Sequence, residues 1–99
     1  MLGRYQEAIA PLKKSTELKS TVFAHFDLGK VYSVLGRHAE ALSEFQQVLE
    51  LEPRELRSVL QIGLEYLSLG NKQGAIQQYQ ILKEHDPELA QQLYNAIYQ

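Results

Sequence analysis

His25-Phe26-Asp27-Leu28-Gly29-Lys30-Val31-Tyr32 returns as Val59-Leu60-Gln61-Ile62-Gly63-Leu64-Glu65-Tyr66, with Leu28/Ile62, Gly29/Gly63 and Tyr32/Tyr66 each 34 residues apart. The same interval links Gly36 to Gly70, Ala41 to Ala75, Phe45 to Tyr79, Val48 to Leu82 and Pro53 to Pro87. A fixed step of this size is the mark of a repeat architecture, in which each unit buries its apolar face against the next. Upstream, Leu2-Gly3-Arg4-x-x-Glu7-Ala8 matches Leu35-Gly36-Arg37-x-x-Glu40-Ala41, which places residues 1–20 as the second half of an earlier unit.

Within each unit the apolar residues recur at three and four steps. Tyr5, Ala8, Ile9 and Leu12 form one such series; His25, Leu28 and Tyr32 another; Ala41, Leu42, Phe45, Val48 and Leu49 a third. That spacing puts them on one face of a helix, and no stretch alternates as a strand does. Helices are predicted near residues 4–19, 22–35, 38–51, 55–69, 72–85 and 88–98. Gly36 and Gly70 are placed at helix ends, where a left-handed residue is easily adopted, and Pro53 and Pro87 at helix starts. Linkers of a few residues force neighbouring helices antiparallel. Pro11 lies inside the first helix and is expected to bend it. Gly29 and Gly63 fall mid-helix, where glycine costs about 1 kcal/mol against alanine. A close crossing explains them, with Ala41 and Ala75 opposite, backbone to backbone.

His25-x-x-Leu28-Gly29-x-x-Tyr32, Ala41-x-x-x-Phe45 and Pro53, repeated from Val59 to Pro87, resemble the tetratricopeptide repeat, a helix-turn-helix unit of 34 residues. The aromatic usual at the first of these positions is replaced by His25 and Val59, and the small residue late in the second helix by Val48 and Leu82. The resemblance implies an all-α fold: a right-handed superhelical solenoid of antiparallel helix pairs, about two and a half repeats plus a C-terminal capping helix. The expected division is 1–21 as the second helix of a truncated repeat, 22–54 and 55–87 as full repeats, and 88–99 as the cap. Leu89, Leu93 and Ala96 would pack the cap onto the helix of residues 72–85, with Ile97 standing where the repeats have glycine.

At 99 residues, 44% hydrophobic and with a formal charge of −2, the chain suits one small domain and has no basic field for nucleic acid. Lys13, Lys14 and Lys19 make the only local basic cluster, read as a solvated face. A related family of helical pairs that reads RNA bases has a slightly different period and needs more basic charge. No apolar run suits a membrane span or a secretion leader. Zero cysteines exclude disulfides and a thiol nucleophile while leaving the compartment open. His25, His38 and His85 lie on different helices or helix ends without a second ligand at helical spacing, so no metal is expected. Glu84-His85-Asp86 reads as a solvated helix end. Glycines that follow helices make no phosphate loop. No catalytic constellation emerges, and no cofactor is called for.

The resemblance implies a protein-interaction scaffold whose binding surface is lined by the first helix of each pair. If His25, Leu28, Gly29 and Tyr32 face their partner helix, the adjacent stripe is Phe23, Phe26, Asp27 and Lys30, and successive steps of 34 give Arg57, Leu60, Gln61 and Leu64, then Gln91, Tyr94, Asn95 and Tyr98. The expected rungs are Phe26–Leu60–Tyr94 and Lys30–Leu64–Tyr98, with a polar line of Asp27, Gln61 and Asn95. Such a groove suits a helix or an extended segment of a protein or peptide partner. One use of the family, a clamp of lysine, asparagine and arginine on a terminal carboxylate, is poorly matched: one cation, beside Asp27, makes a weak trap. Two rivals stand beside the scaffold. One is a self-assembling module that forms homo-oligomers through Tyr5, Ile9 and Leu12 of the first helix; the other is an accessory domain of a larger enzyme.

Overall fold

The computed structural model describes residues 2–18 and 21–99. Six helices follow one another: α1 (Leu2–Leu18), α2 (Val22–Val34), α3 (His38–Leu51), α4 (Leu56–Ser68), α5 (Lys72–His85) and α6 (Pro87–Tyr98). No strand occurs among the described residues. Each helix packs on the next in the chain, and α4 also packs on α6. The fold is an all-α helical-repeat solenoid. The expected end of the first helix at residue 19, and Lys19 with it, lie outside the described residues.

The turns show why the helices stop where they do. After α2, Gly36 takes φ +77° and donates its N–H to the Ser33 carbonyl, while Arg37 donates to Tyr32. After α4, Gly70 takes φ +80°, and the same two bonds run from Gly70 to Leu67 and from Asn71 to Tyr66. These paired bonds satisfy carbonyls that the helix end would leave open, and they require the left-handed residue that glycine supplies. Helix starts are closed by side chains. Thr21 accepts from the Ala24 N–H at 3.0 Å, Asn71 from Gly74 at 2.8 Å and Asp86 from Leu89 at 3.2 Å.

Two placements differ from the sequence reading. Pro87 opens α6, but Pro53 sits in the turn before α4, which starts at Leu56 behind a Glu55 cap. Arg54 and Glu55 intervene, so the helix nucleates at the residue whose side chain can cap it. Gly3 lies inside α1, unlike Gly36, so the sequence match between them does not extend to the backbone. α1 also runs on through Pro11.

The core forms two joined clusters. Leu28, Tyr32, Ala41, Phe45 and Ile62 make one; Val59, Leu60, Ala75, Leu82, Ala90, Leu93 and Ile97 make the other; Leu49 and Tyr66 pack against both. Gly29 and Gly63 do admit close neighbours, but those neighbours are side chains instead of backbone. A Cβ on Gly29 would stand 2.8 Å from the Phe45 ring, and one on Gly63 would stand 2.6 Å from Leu93. Each missing side chain is thus a socket for a fully buried one. Leu93 reaching α4 also corrects the expected seating of the last helix. Ala90, Leu93 and Ile97, at three- and four-residue spacing, form its buried stripe, and this stripe rests on α4 as well as α5.

Ser58 is fully buried, and its hydroxyl has no hydrogen-bond partner among the described residues. The corresponding position one repeat earlier is Ala24. Burying an unpaired hydroxyl is costly. Ser58→Ala is therefore expected to raise stability by about 1 kcal/mol, read as a higher urea midpoint with an unchanged slope.

Candidate functional site

The first helices of the pairs, α2, α4 and α6, carry the stripe expected to meet a partner, and its residues differ sharply in exposure. Phe23 is 76% exposed, Tyr94 43% and Tyr98 52%. Lys30, Arg57 and Asn95 are exposed; Phe26, Asp27, Gln61 and Leu64 are half-buried. Leu60 is only 7% exposed and belongs to the core, which removes it from the list of contact residues. Leu64 packs against the same cluster. Both are aliphatic, and the arrival of α6 beside α4 covers them.

The rings find partners other than the expected rungs. Phe26 meets Phe45 edge-on at 5.4 Å, with Lys30 Nζ 5.8 Å and the Arg57 guanidinium 5.3 Å from its centre. Tyr94 meets Tyr79 of α5 at 5.6 Å and Tyr98 at 4.8 Å, and Lys72 Nζ lies 5.0 Å from the Tyr98 ring. Tyr79 was not among the stripe residues. Its signal was the step of 34 from Phe45, although the Phe45 ring meets the preceding helix α2 and the Tyr79 ring the following helix α6.

Arg57 is committed within its own turn. Its Nε and Nη2 donate to the Glu55 carboxylate at 3.1 and 3.3 Å. That hydrogen bond holds the Glu55 carboxyl below its usual range and pushes Arg57 up. Arg37 and Glu40 form a similar exposed pair with two contacts of 2.6 Å, which likewise lowers Glu40.

A second polar feature lies at the junction of the two units. Glu65, on α4 and 2% exposed, is bonded to His38 Nδ1 at 2.7 Å and accepts from the Ser33 hydroxyl at 2.8 Å. His38 and Ser33 belong to α3 and α2, so one buried carboxylate ties three helices together. His25 makes a comparable contact with Glu44 of α3, also at 2.7 Å. One repeat on, these positions are Val59 and Gln78, so both members of the pair have changed. No group of three His, Asp or Glu side chains fit to hold a metal occurs among the described residues.

Residues 22–55, which are α2, α3 and the turn that follows them, match the family model of the tetratricopeptide repeat. Those residues form a tetratricopeptide repeat. Repeats of this family generally mediate protein–protein interaction, typically as non-enzymatic scaffolds. No curated protein matches the chain significantly. The tetratricopeptide repeat of residues 22–55 is followed by α4 and α5, which reproduce its glycine-closed turn. No helix among the described residues is long and apolar enough to cross a membrane.

For the tetratricopeptide-repeat carboxylate clamp, the structure adds to the mismatch in sequence. Arg57 already holds a carboxylate, and Lys30 stands over Phe26. On the first helix, Ile9 and Leu12 pack against the cluster around Leu28 and Phe45, while Tyr5 is 38% exposed. Tyr5 and Leu12 border a cleft of about 370 Å³ between α1 and α2, shared with Asp27, Lys30, Val31 and Val34.

Proposed function

We propose that this chain is a non-enzymatic scaffold that presents the faces of α2, α4 and α6 to a segment of a partner protein. The observation that carries this reading is the exposure of Phe23, Tyr94 and Tyr98 on that stripe, although the core is complete without them. Large aromatic side chains left in water on a family built for protein contact are natural anchors, because they bring much apolar area at little entropic cost.

Capture of partner proteins from the source cells tests the reading. Phe23→Glu with Tyr94→Glu puts charge at two exposed positions and leaves the core untouched. The double variant is expected to lose at least about tenfold in partner recovery, the equivalent of roughly 1.4 kcal/mol, while keeping its far-ultraviolet circular dichroism. Equal recovery by the folded variant would remove this face from the function.

The cleft beside Tyr5 favours a second reading, self-association through α1. Under it, the sedimentation mass rises with concentration and Tyr5→Glu abolishes the rise. A constant monomer mass would dismiss it.

A further inference from the structure

Tyr5 and Leu12 of α1 and Asp27, Lys30, Val31 and Val34 of α2 line the cleft of about 370 Å³ between these helices. The molecule holds a second version of this place. The match of Leu2-Gly3-Arg4 to Leu35-Gly36-Arg37 sets Tyr5 on His38 and Leu12 on Phe45, and the step of 34 sets Asp27, Lys30, Val31 and Val34 on Gln61, Leu64, Glu65 and Ser68. Between α3 and α4 that second version is filled, and α2 fills it. Phe45 enters the socket at Gly29, and the Ser33 hydroxyl donates to Glu65, which also holds His38. Among the described residues no helix stands to α1 and α2 as α2 stands to α3 and α4. The lining has changed in kind as well. His38, Glu65 and Ser68 give way to Tyr5, Val31 and Val34, and of these Tyr5 is 38% and Val34 49% exposed. We propose that the cleft is a docking site for an amphipathic helix of a separate protein, seated on α1 and α2 as α2 is seated on α3 and α4. This adds a second surface to the scaffold reading and does not depend on the aromatic stripe.

The filled junction specifies the helix. Its residue in the place of Gly29 faces Leu12 and has to be small, because in the filled version a Cβ there would stand 2.8 Å from the Phe45 ring. Four residues on, in the place of Ser33, it meets Tyr5, Val31 and Val34 and has to be apolar. Ser33 answers a carboxylate, whereas Val31 offers no acceptor and would leave a buried hydroxyl unpaired. Its outer flank is acidic. Residues 1–34 hold five Lys and Arg against three Asp and Glu, while residues 35–99 hold five against nine, so the cleft lies at the positive end of a negative chain. A second copy of this chain does not supply such a helix. Its two first helices with a central glycine, α2 and α4, have those sockets filled by Phe45 and Leu93.

Nitrogen-15 NMR titration of the 99-residue chain with a synthetic peptide of its own residues 21–36 carrying Ser33→Leu tests the site, because α2 is the helix that fills the equivalent place. The expected result is a saturating set of shifts confined to α1 and the Asp27 to Val34 part of α2. Val34→Glu in the protein, or Gly29→Leu in the peptide, is expected to weaken binding at least about tenfold, and Phe23→Glu with Tyr94→Glu in the protein to leave it unchanged. Val34 is half exposed, so the variant is expected to remain folded, and its unbound spectrum verifies that. Absence of shifts at millimolar peptide, shifts centred on other helices, or equal binding by the Gly29→Leu peptide would overturn the proposal. So would a sedimentation mass that rises with concentration and is held at the monomer by Val34→Glu, which would give the cleft to a second copy. If the peptide fails while Phe23→Glu with Tyr94→Glu still abolishes partner recovery, the cleft falls and the aromatic stripe stands.

Discussion

Phe45→Ala is expected to lower stability by about 3–5 kcal/mol, a large share of what a small domain possesses. The ring is completely buried, it fills the socket left by Gly29, and its contact with Phe26 links α2 to α3. Truncation leaves a cavity that the rigid helix pair closes poorly. Urea unfolding followed by circular dichroism measures the loss. Gly29→Ala sharpens the test. Alone it forces a Cβ to within 2.8 Å of the ring and destabilises; beside Phe45→Ala it fills part of the void. The two losses are expected to be less than additive by at least about 0.5 kcal/mol. Strict additivity would mean that ring and glycine are not the matched pair described. Phe23→Ala, at an exposed position, is the contrast and should move stability by less than about 0.5 kcal/mol.

His38→Ala carries the second-largest expected effect, about 2 kcal/mol of destabilisation. Removing the imidazole leaves the Glu65 carboxylate buried with the Ser33 hydroxyl as its remaining partner. The figure is below that for a deeply buried pair because the His38 side chain is 29% exposed and water reaches the vacated place. Glu65→Gln keeps an acceptor for the same donors and should cost less than His38→Ala. In a double-mutant cycle with Glu65→Val, which restores the apolar residue found at Val31, the cost of His38→Ala should largely vanish. Since the three helices belong to two repeats, loss of this contact should also decouple them. Amide exchange in α4 would then quicken relative to the rest of the chain.

The helix ladder was legible because the step of 34 is carried by residues with only one good structural explanation each. Gly36 and Gly70 had to be turn residues, and they are. The four missed points share a physical cause: a period reports which positions are equivalent but not which atoms meet. Gly29 and Gly63 signalled close approach, yet Phe45 and Leu93 are what approach them, and Leu93 does so from a helix two elements away. Pro53 looked like a helix start from its pairing with Pro87, but capping by Glu55 placed the start at Leu56. Leu60 was assigned outward by step from Phe26, and the seating of α6 buries it. Glu65 offered a signal that went unread, an acid at a position where the preceding repeat has Val31; such a break in an apolar pattern demands buried partners, and His38 and Ser33 are those partners. Phe23, Tyr94 and Tyr98, which the step of 34 set on the stripe beside the buried face, are exposed.

The most direct test of the scaffold account is site-specific photo-crosslinking in the source cells. A photoreactive residue is introduced in turn at Phe23, at Tyr94 and at Ser43, the last exposed on the outer helix α3. The account predicts covalent adducts with the same partner protein from Phe23 and Tyr94 and none from Ser43. Adducts from Ser43 alone, or from all three positions equally, would contradict it.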